Sequence, residues 1–179
     1  MKKVIIAIVG ILILAIVGFG GKTYIHKKAE EKLYQDGVKQ IQKYVTNYMV
    51  ENYEGIEKIE WDGVGVDWGI LVPLNKFNGR AYNAFSDVKV YASEKKYFRM
   101  DFNLNEEMRY DDELEKYVFE DWFLKNMDSD MDVIVNVGMY NASDTENHDI
   151  KEYGGIKKSK EGSPNAKIIY NLEVHEEKY

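Results

Sequence analysis

The segment KIEWDGVGVDW, residues 58–68, decides the fold. In its first half the apolar residues alternate with charged ones up to Trp61, and from Val64 onward they alternate in the opposite phase. A period of two is typical of a β-strand with one buried face. Gly63 and Gly65 stand at the phase change, and glycine there predicts a β-bulge or bend in the strand.

A long amphipathic helix precedes this strand. Residues 22–54 carry apolar side chains at alternating spacings of four and three, which places them on one stripe of a helix. Gly37 interrupts the pattern and predicts a kink or break, and Gly55 is a plausible C-cap because glycine tolerates left-handed backbone. The stripe consists of Tyr34, Val38, Ile41, Val45 and Tyr48.

Further strands follow it. Val88–Ala92 and Phe98–Leu104 alternate cleanly around a turn and predict a β-hairpin. Residues 106–126 return to helical spacing, with Leu114, Val118 and Trp122 four apart and two aspartates suited to a helix N-terminus. The rest is expected as a strand near 76–83, a strand at 133–139, a polar loop at 141–165 and a last strand at 168–174.

This order of elements predicts an α+β fold, with the long amphipathic helix packed on an antiparallel sheet. The strands alternate rather than being apolar throughout, so one face of the sheet should meet solvent. Cystatin-like and NTF2-like folds have this layout. That likeness concerns the fold and says little about function.

The N-terminus predicts a membrane helix. Residues 4–21 form an uncharged apolar run of 18 residues after Lys2 and Lys3, and about 17–20 residues cross a bilayer as a helix. A retained signal anchor is the preferred interpretation; cleavage after Gly20 and a buried core helix are the alternatives. The predicted organisation is an anchor at 1–21, a juxtamembrane helical stalk at 22–36 and an extracytoplasmic α+β domain at 37–179.

Charge and composition limit the classes of partner and of site that this protein can have. The chain has 179 residues, 24 Lys plus Arg, 31 Asp plus Glu, no Cys and a net charge of −7. An acidic balance argues against nucleic acid as a partner, and the missing cysteines exclude disulfides and thiolate metal sites. The short Lys-Lys start favours a single-pass protein with its C-terminal domain outside the cell membrane.

Two tryptophans suggest a partner surface. Trp61 and Trp68 flank the glycines, with Asp67 beside them, and exposed aromatics next to carboxylates suit a peptide or sugar. In a sheet that covers a helix, aromatics more often belong to the core. We expect Trp61 in the core and leave Trp68 open between both interpretations, so Trp68, Asp67 and Trp61 are the candidate ligand surface.

Two acidic clusters resemble metal sites. Asp144, Glu146, His148 and Asp149 lie in the predicted polar loop, where oxygen ligands and a histidine could hold a cation. Exposed loops are normally rich in such residues. The run Asp128-x-Asp130-x-Asp132 begins like an EF-hand loop but lacks the required Gly and Glu, and it is interpreted as a solvated turn before a strand.

No catalytic motif is present in the sequence. It has neither a nucleophile elbow nor a serine–lysine signature, and no cofactor is expected. The preferred hypothesis is therefore a membrane-anchored extracytoplasmic module that binds a protein or peptide. The alternatives are an envelope hydrolase that uses carboxylates or a loop metal, and an accessory subunit of a membrane complex.

The layout resembles small, uncharacterised, single-span exported proteins of low-GC Gram-positive bacteria. The likeness rests on the Met-Lys-Lys start, the single apolar segment, the helix and the stretch NYEGIEKIEW at 52–61. It covers residues 1–104. Many such proteins are lipoproteins, whereas this chain has no Cys. The resemblance implies a location rather than an activity, and some of these proteins look like partners or immunity factors for secreted toxins.

Overall fold

The computed structural model describes the backbone of residues 2–67, 83–145 and 155–176, and the side chains of these ranges apart from 2–26 and 143–145. The described residues form an α+β fold with one long helix and a mixed sheet. The helices are α1 (Lys2–Asn52), α2 (Leu104–Glu107) and α3 (Asp121–Thr145). The strands are β1 (Tyr53–Glu54), β2 (Lys58–Trp61), β3 (Val64–Asp67), β4 (Asn83–Ser93), β5 (Lys96–Asn103), β6 (Met108–Asp111), β7 (Lys116–Phe119), β8 (Lys157–Lys158), β9 (Lys167–Ile169) and β10 (Val174–Glu176).

Helix α1 supplies one side of the core. The predicted stripe is buried or partly buried against the sheet, which confirms its amphipathic pattern. The expected break at Gly37 is wrong, because α1 is continuous through that position. A Cβ atom at Gly37 would lie 2.6 Å from Cδ1 of Leu104 and 3.2 Å from Cβ of Tyr117. Glycine therefore lets the chain after β5 approach the helix closely.

Strands β2 and β3 are two halves of one bent strand, because both pair antiparallel with β4. Trp61 lies opposite Val88, and Gly65 lies opposite Phe85. The bent strand has one residue more than β4 between these two pairs, which defines a β-bulge. The predicted bulge is confirmed. It shifts the alternation by one position, so Trp61 and Val66 are both buried in the same core.

The sheet is mixed, and the prediction of a wholly antiparallel sheet is wrong. Strand β5 pairs antiparallel with β4, whereas β9 runs parallel to β2 and β10 runs parallel to β3. A parallel neighbour requires a long crossover connection. Here the chain passes through β6, β7 and α3 after β5. It then comes back to the sheet as β9 and β10, which lie beside β2 and β3 and run in the same direction.

Helix α1 holds this last edge segment at the gap between β9 and β10. Nε2 of Gln42 donates a hydrogen bond to the carbonyl oxygen of Asn171 at 2.7 Å. Nε2 of Gln35 donates to the carbonyl oxygen of Leu172, also at 2.7 Å. Lys27 forms a salt bridge of 3.3 Å with Glu176. Contacts of the domain therefore reach into residues 22–36, where the sequence predicts a stalk.

The segment after β5 differs most from the sequence prediction. Residues 106–126 were expected as one helix, but β6 and β7 form an antiparallel hairpin and α3 begins only at Asp121. Asp111 forms the turn, because its Oδ1 accepts hydrogen bonds from the backbone N–H groups of Glu113 and Leu114. The two acidic residues that suited a helix N-terminus belong to this turn.

Helix α3 also replaces the strand expected at 133–139. It buries Met127, Met131 and Val135, which are four residues apart and lie on one helical face. The aspartates at 128, 130 and 132 lie inside this helix, so the acidic turn predicted there is wrong. The helix extends to Thr145, into the segment predicted as a polar loop.

The predicted membrane span lies outside the described side chains. The backbone of residues 4–21 belongs to α1, but their side chains are not described. Among the residues that are fully described, no helix is long and apolar enough to cross a membrane. The anchor at 1–21 stays a prediction. The strand expected near 76–83 falls mostly outside the described residues, and β4 begins at Asn83.

Replacing Gly63 with alanine should lower the free energy of unfolding by about 2–3 kcal/mol. Gly63 has a φ of +103°, and an added Cβ would lie 2.6 Å from the backbone oxygen of Glu173. Chemical denaturation of the full-length chain measures the loss. Gly155→Ala is the control, because a Cβ there meets nothing within 4 Å, and its effect should stay below about 0.5 kcal/mol. Equal losses would contradict this account of the bulge.

Candidate functional site

The three residues of the candidate ligand surface do not form a described surface. Trp61 is only 1% exposed, its Nε1 donates to Oγ1 of Thr46 at 2.9 Å, and its ring packs 5.8 Å from that of Phe102. Trp61 is therefore a core residue, as expected from its place in the sheet, and does not contribute to a ligand surface. Asp67 ends β3 and is partly exposed. Trp68 lies outside the described residues.

The loop metal site is not brought together by the described residues. Asp144 belongs to the last turn of α3 but its side chain is not described, while Glu146, His148 and Asp149 lie outside the described residues. In the described part of the chain, no group of three acidic or histidine side chains could hold a metal ion. These four residues stay a prediction.

The exposed apolar side chains are concentrated elsewhere. Eight large apolar residues are exposed in the described part of the chain, and seven of them fall in the hairpin β6–β7 and in α3. The eighth is Tyr170, near the sheet edge. A concentration of exposed apolar side chains on one part of a protein is typical of an interaction surface. The seven are Tyr110, Leu114, Trp122, Leu124, Val133, Val137 and Tyr140.

The exposed rings of Tyr110 and Trp122 pack against other aromatic rings of the domain, one partly buried and one buried. Tyr110 packs edge-on against Tyr117, with ring centroids 5.5 Å apart. Trp122 packs edge-on against Phe123 at 5.9 Å, and Phe123 stacks on Phe119 at 5.5 Å. Side chains held in this way lose little further rotamer freedom when they meet a partner. The fold therefore presents both rings in a fixed position.

On α3 the outer face forms a narrow ridge, which we call the α3 ridge. Trp122, Val133, Val137 and Tyr140 are separated by eleven, four and three residues, and these spacings bring them to one side of a helix. The buried side chains lie on the opposite face. Between Trp122 and Val133 the outer face carries the polar residues Asn126 and Ser129, so its exposed apolar side chains are grouped at the two ends of α3, where they suit contact with a partner. The α3 ridge therefore belongs to the candidate site.

Polar contacts fix α3 beside α1. The hydroxyl of Tyr48 donates to Oδ1 of Asp128 at 2.7 Å, and that of Tyr53 donates to Asp132. Lys158 Nζ also bonds Asp132, at 2.7 Å. The first bond starts from the end of α1 and the second from β1, so together they tie α3 to the junction between α1 and β1. These bonds therefore fix the position of the α3 ridge relative to the end of α1.

These polar groups keep one protonation state near neutral pH. Burial and the bond to Asp128 raise the pKa of Tyr48 to about 12, and burial also raises the pKa of Tyr53. Burial acts to raise the pKa of Asp132 too, but hydrogen bonds from Lys158 and Tyr53 outweigh it and lower that pKa. A catalytic acid or base needs a pKa near the working pH, so this cluster is suited to holding α3 in place.

A half-open pocket of about 300 Å³ lies beside this cluster, between α3 and the ribbon formed by β1 and β8. A second pocket of about 280 Å³ lies on the other flank of α3, against β5. Each volume is at the lower limit of the range that is typical of small-molecule sites. Side chains of a partner on the α3 ridge could enter either one. The first is lined by Tyr53, Asp132, Val135, Asn136, Met139, Ile156, Lys157 and Lys158.

Negative charge is concentrated in the same part of the chain. Residues 106–132 contain eleven acidic and three basic side chains, whereas the rest of the chain contains 20 acidic and 21 basic ones. The net charge of the whole protein therefore comes from this segment. It includes the hairpin β6–β7 and the first half of α3. The exposed aromatic rings sit within a strongly acidic region.

Comparison with protein-family models, curated proteins and solved structures found no match. The cystatin-like or NTF2-like layout and the resemblance to exported Gram-positive proteins therefore stay predictions. The function is therefore inferred from the exposed surface of the hairpin β6–β7 and of α3.

Sequence reasoning missed this surface because it placed a helix over residues 106–126. Under that interpretation Leu114, Val118 and Trp122 share one buried stripe. In the structure Leu114 is at the hairpin turn and is 58% exposed, and Trp122 is 48% exposed. A useful signal was available in Tyr117-Val118-Phe119, because a run of aromatic and β-branched residues is typical of a strand.

Proposed function

We propose that this protein is a membrane-anchored, extracytoplasmic binding module that recognises a protein or peptide. The hairpin β6–β7 and α3 supply the recognition surface in this proposal. Helix α1 supplies the connection to the membrane, through the uncharged residues 4–21.

One observation carries the binding function. Tyr110 and Trp122 are 41% and 48% exposed, yet the first packs on the partly buried ring of Tyr117 and the second on the buried ring of Phe123. Tyrosine and tryptophan anchors of this kind supply much of the binding free energy at protein interfaces. The described pockets are small and open, so a macromolecular partner fits this surface better than an enclosed small molecule.

The continuity of α1 supports a tethered module. The helix runs from Lys2 to Asn52, and its first described contact with the domain is the salt bridge between Lys27 and Glu176. Only residues 22–26 separate that contact from the predicted span, which is about 8 Å of helix. In this proposal the domain stands directly on the membrane surface, at a fixed height.

Photo-crosslinking in intact cells tests the proposal. A photoreactive phenylalanine analogue replaces Trp122 in the full-length chain, and in a separate variant it replaces Tyr170, which is equally exposed at 47%. We expect the probe at residue 122 to form a discrete adduct with a protein of the cell envelope. The probe at residue 170 should form none, because it lies at the edge of the sheet.

The identity of the adduct decides between outcomes. An envelope or secreted protein linked at residue 122 supports both binding and the extracytoplasmic location. A cytoplasmic protein at the same position would reverse the topology. The same yield from both probe positions, or no adduct at residue 122, would overturn the proposal.

A further inference from the structure

We infer that the partner presents a cationic, amphipathic segment to the surface formed by the hairpin turn and the start of α3. We call this the acidic–aromatic surface. It consists of Tyr110, Leu114 and Trp122 together with Asp112, Glu113, Glu115 and Asp121. The inference rests on the proposed function and names the chemistry of the partner.

The apolar part of this surface consists of exposed side chains at the two ends of β7. Leu114 is at the tip of the β6–β7 turn, and Trp122 lies in the first turn of α3, which follows the other end of β7. The hairpin and α3 are joined by the stacked rings of Phe119 and Phe123, so the turn and the helix start are parts of one rigid unit. A partner helix that runs along β7 from the turn to the start of α3 would bury side chains that solvent now contacts.

The charged half determines which helix can dock. Asp112, Glu113, Glu115 and Asp121 are all exposed, and none forms a salt bridge with another described residue. Two basic side chains in the hairpin, Arg109 and Lys116, do not balance them. A partner with Lys or Arg around an apolar stripe would meet complementary charge at the rim and apolar side chains at the centre.

The same charges disfavour other occupants. A second copy docked through the same surface in a symmetric dimer would bring two acidic patches together, which costs free energy. Nucleic acid carries one negative charge per phosphate and needs a basic surface. Anionic lipid headgroups would be repelled for the same reason. The surface is therefore suited to a cationic protein segment.

The test uses the full-length chain in nanodiscs of zwitterionic phosphatidylcholine. The probe is a helical peptide of about 18 residues, or five turns, composed of leucine and lysine with leucine on one face. Two matched peptides replace every lysine with glutamate, or every leucine with serine. Isothermal titration gives each affinity after subtraction of the signal from empty nanodiscs.

We expect only the leucine–lysine peptide to bind, and its affinity to fall as ionic strength rises. Neutralising the four acidic residues together (Asp112→Asn, Glu113→Gln, Glu115→Gln and Asp121→Asn) should weaken binding at least about tenfold. The matched control neutralises four exposed acidic residues elsewhere (Glu57→Gln, Glu94→Gln, Glu161→Gln and Glu173→Gln) and should change affinity less than about twofold.

Three results would overturn the inference. The first is equal weakening by the two sets of substitutions, which would show general attraction to an acidic protein. The second is binding of the glutamate peptide, or no binding of any peptide. The third is self-association of the chain that is lost with Trp122→Ala, which would make a second copy the occupant. An envelope adduct at residue 122 alongside any of these results would leave the proposed function standing without the cationic partner.

Discussion

Replacing Trp61 with alanine is expected to lower the free energy of unfolding by about 3–5 kcal/mol. The side chain is 1% exposed and fills the core between α1 and the sheet. Its removal leaves a cavity, because the bent strand is fixed by pairing with β4 on one side and with β9 and β10 on the other. It also leaves the hydroxyl of Thr46 without the indole N–H that donates to it.

Trp122→Ala is the matched control for this prediction. The same change at a residue that is 48% exposed should alter the free energy of unfolding by less than about 1 kcal/mol, while it abolishes the peptide binding described above. Denaturant titration of both full-length variants provides the comparison. Equal destabilisation would show that Trp122 is a structural residue, and the candidate surface would lose its aromatic anchor.

Raising the pH from about 5 to about 8 should destabilise the protein through Glu107. Burial raises the pKa of this carboxyl to about 8, and its neighbours Glu106 and Asp101 contribute to the increase. Its Oε2 accepts no hydrogen bond from a described residue. Deprotonation therefore leaves a buried negative charge with little compensation.

The direction of this effect follows from the two pKa values. The folded-state pKa of Glu107 is above the ordinary value of 4.5, so the folded state binds the proton more tightly than the unfolded state. The stability that this proton contributes is fully present below about pH 4.5 and is lost as the pH rises through about 8. The expected loss is about 2–4 kcal/mol.

Glu107→Gln isolates this contribution, because glutamine keeps the neutral form at every pH. The difference in free energy of unfolding between the variant and the natural chain should grow in favour of the variant as the pH rises. Glu106→Gln is the control, since Glu106 is its exposed neighbour. It should show only a small part of this growth, because it removes one of the charges that raise the pKa of Glu107 and leaves the buried carboxyl in place. Parallel curves for Glu107→Gln and the natural chain would contradict the prediction.

The elements that sequence reasoning found are those whose pattern is local. The stripe on α1, the bulge at Gly63 and the hairpin β4–β5 each follow from the spacing of neighbouring residues. Strand direction does not, because alternation is the same in parallel and antiparallel pairs. The parallel pairing of β9 with β2 depends on how the chain crosses the sheet after α3.

One error arose where helical and strand patterns coincide. Val133, Val135 and Val137 alternate as in a strand, but in α3 only Val135 is buried, and the other two lie on the α3 ridge. Met127, Met131 and Val135 are buried and four residues apart, a spacing that fits one face of a helix and not a strand. A strand would place all three valines on one face, so the exposed α3 ridge could not be predicted from this pattern. The candidate site therefore depended on knowing where α3 lies.

The edge strand also determines when the protein can fold. The hydrogen bonds from Gln42 to Asn171 and from Gln35 to Leu172 span 129 and 137 residues of sequence. A chain made at about 5–20 residues per second needs on the order of ten seconds between the completion of α1 and the appearance of β9. Until then the edge of β2 and β3 that pairs with β9 and β10 has no neighbour, and Gln35 and Gln42 lack their hydrogen-bond partners. Newly made chains are therefore open to holding chaperones and to proteolysis until residues 167–176 emerge.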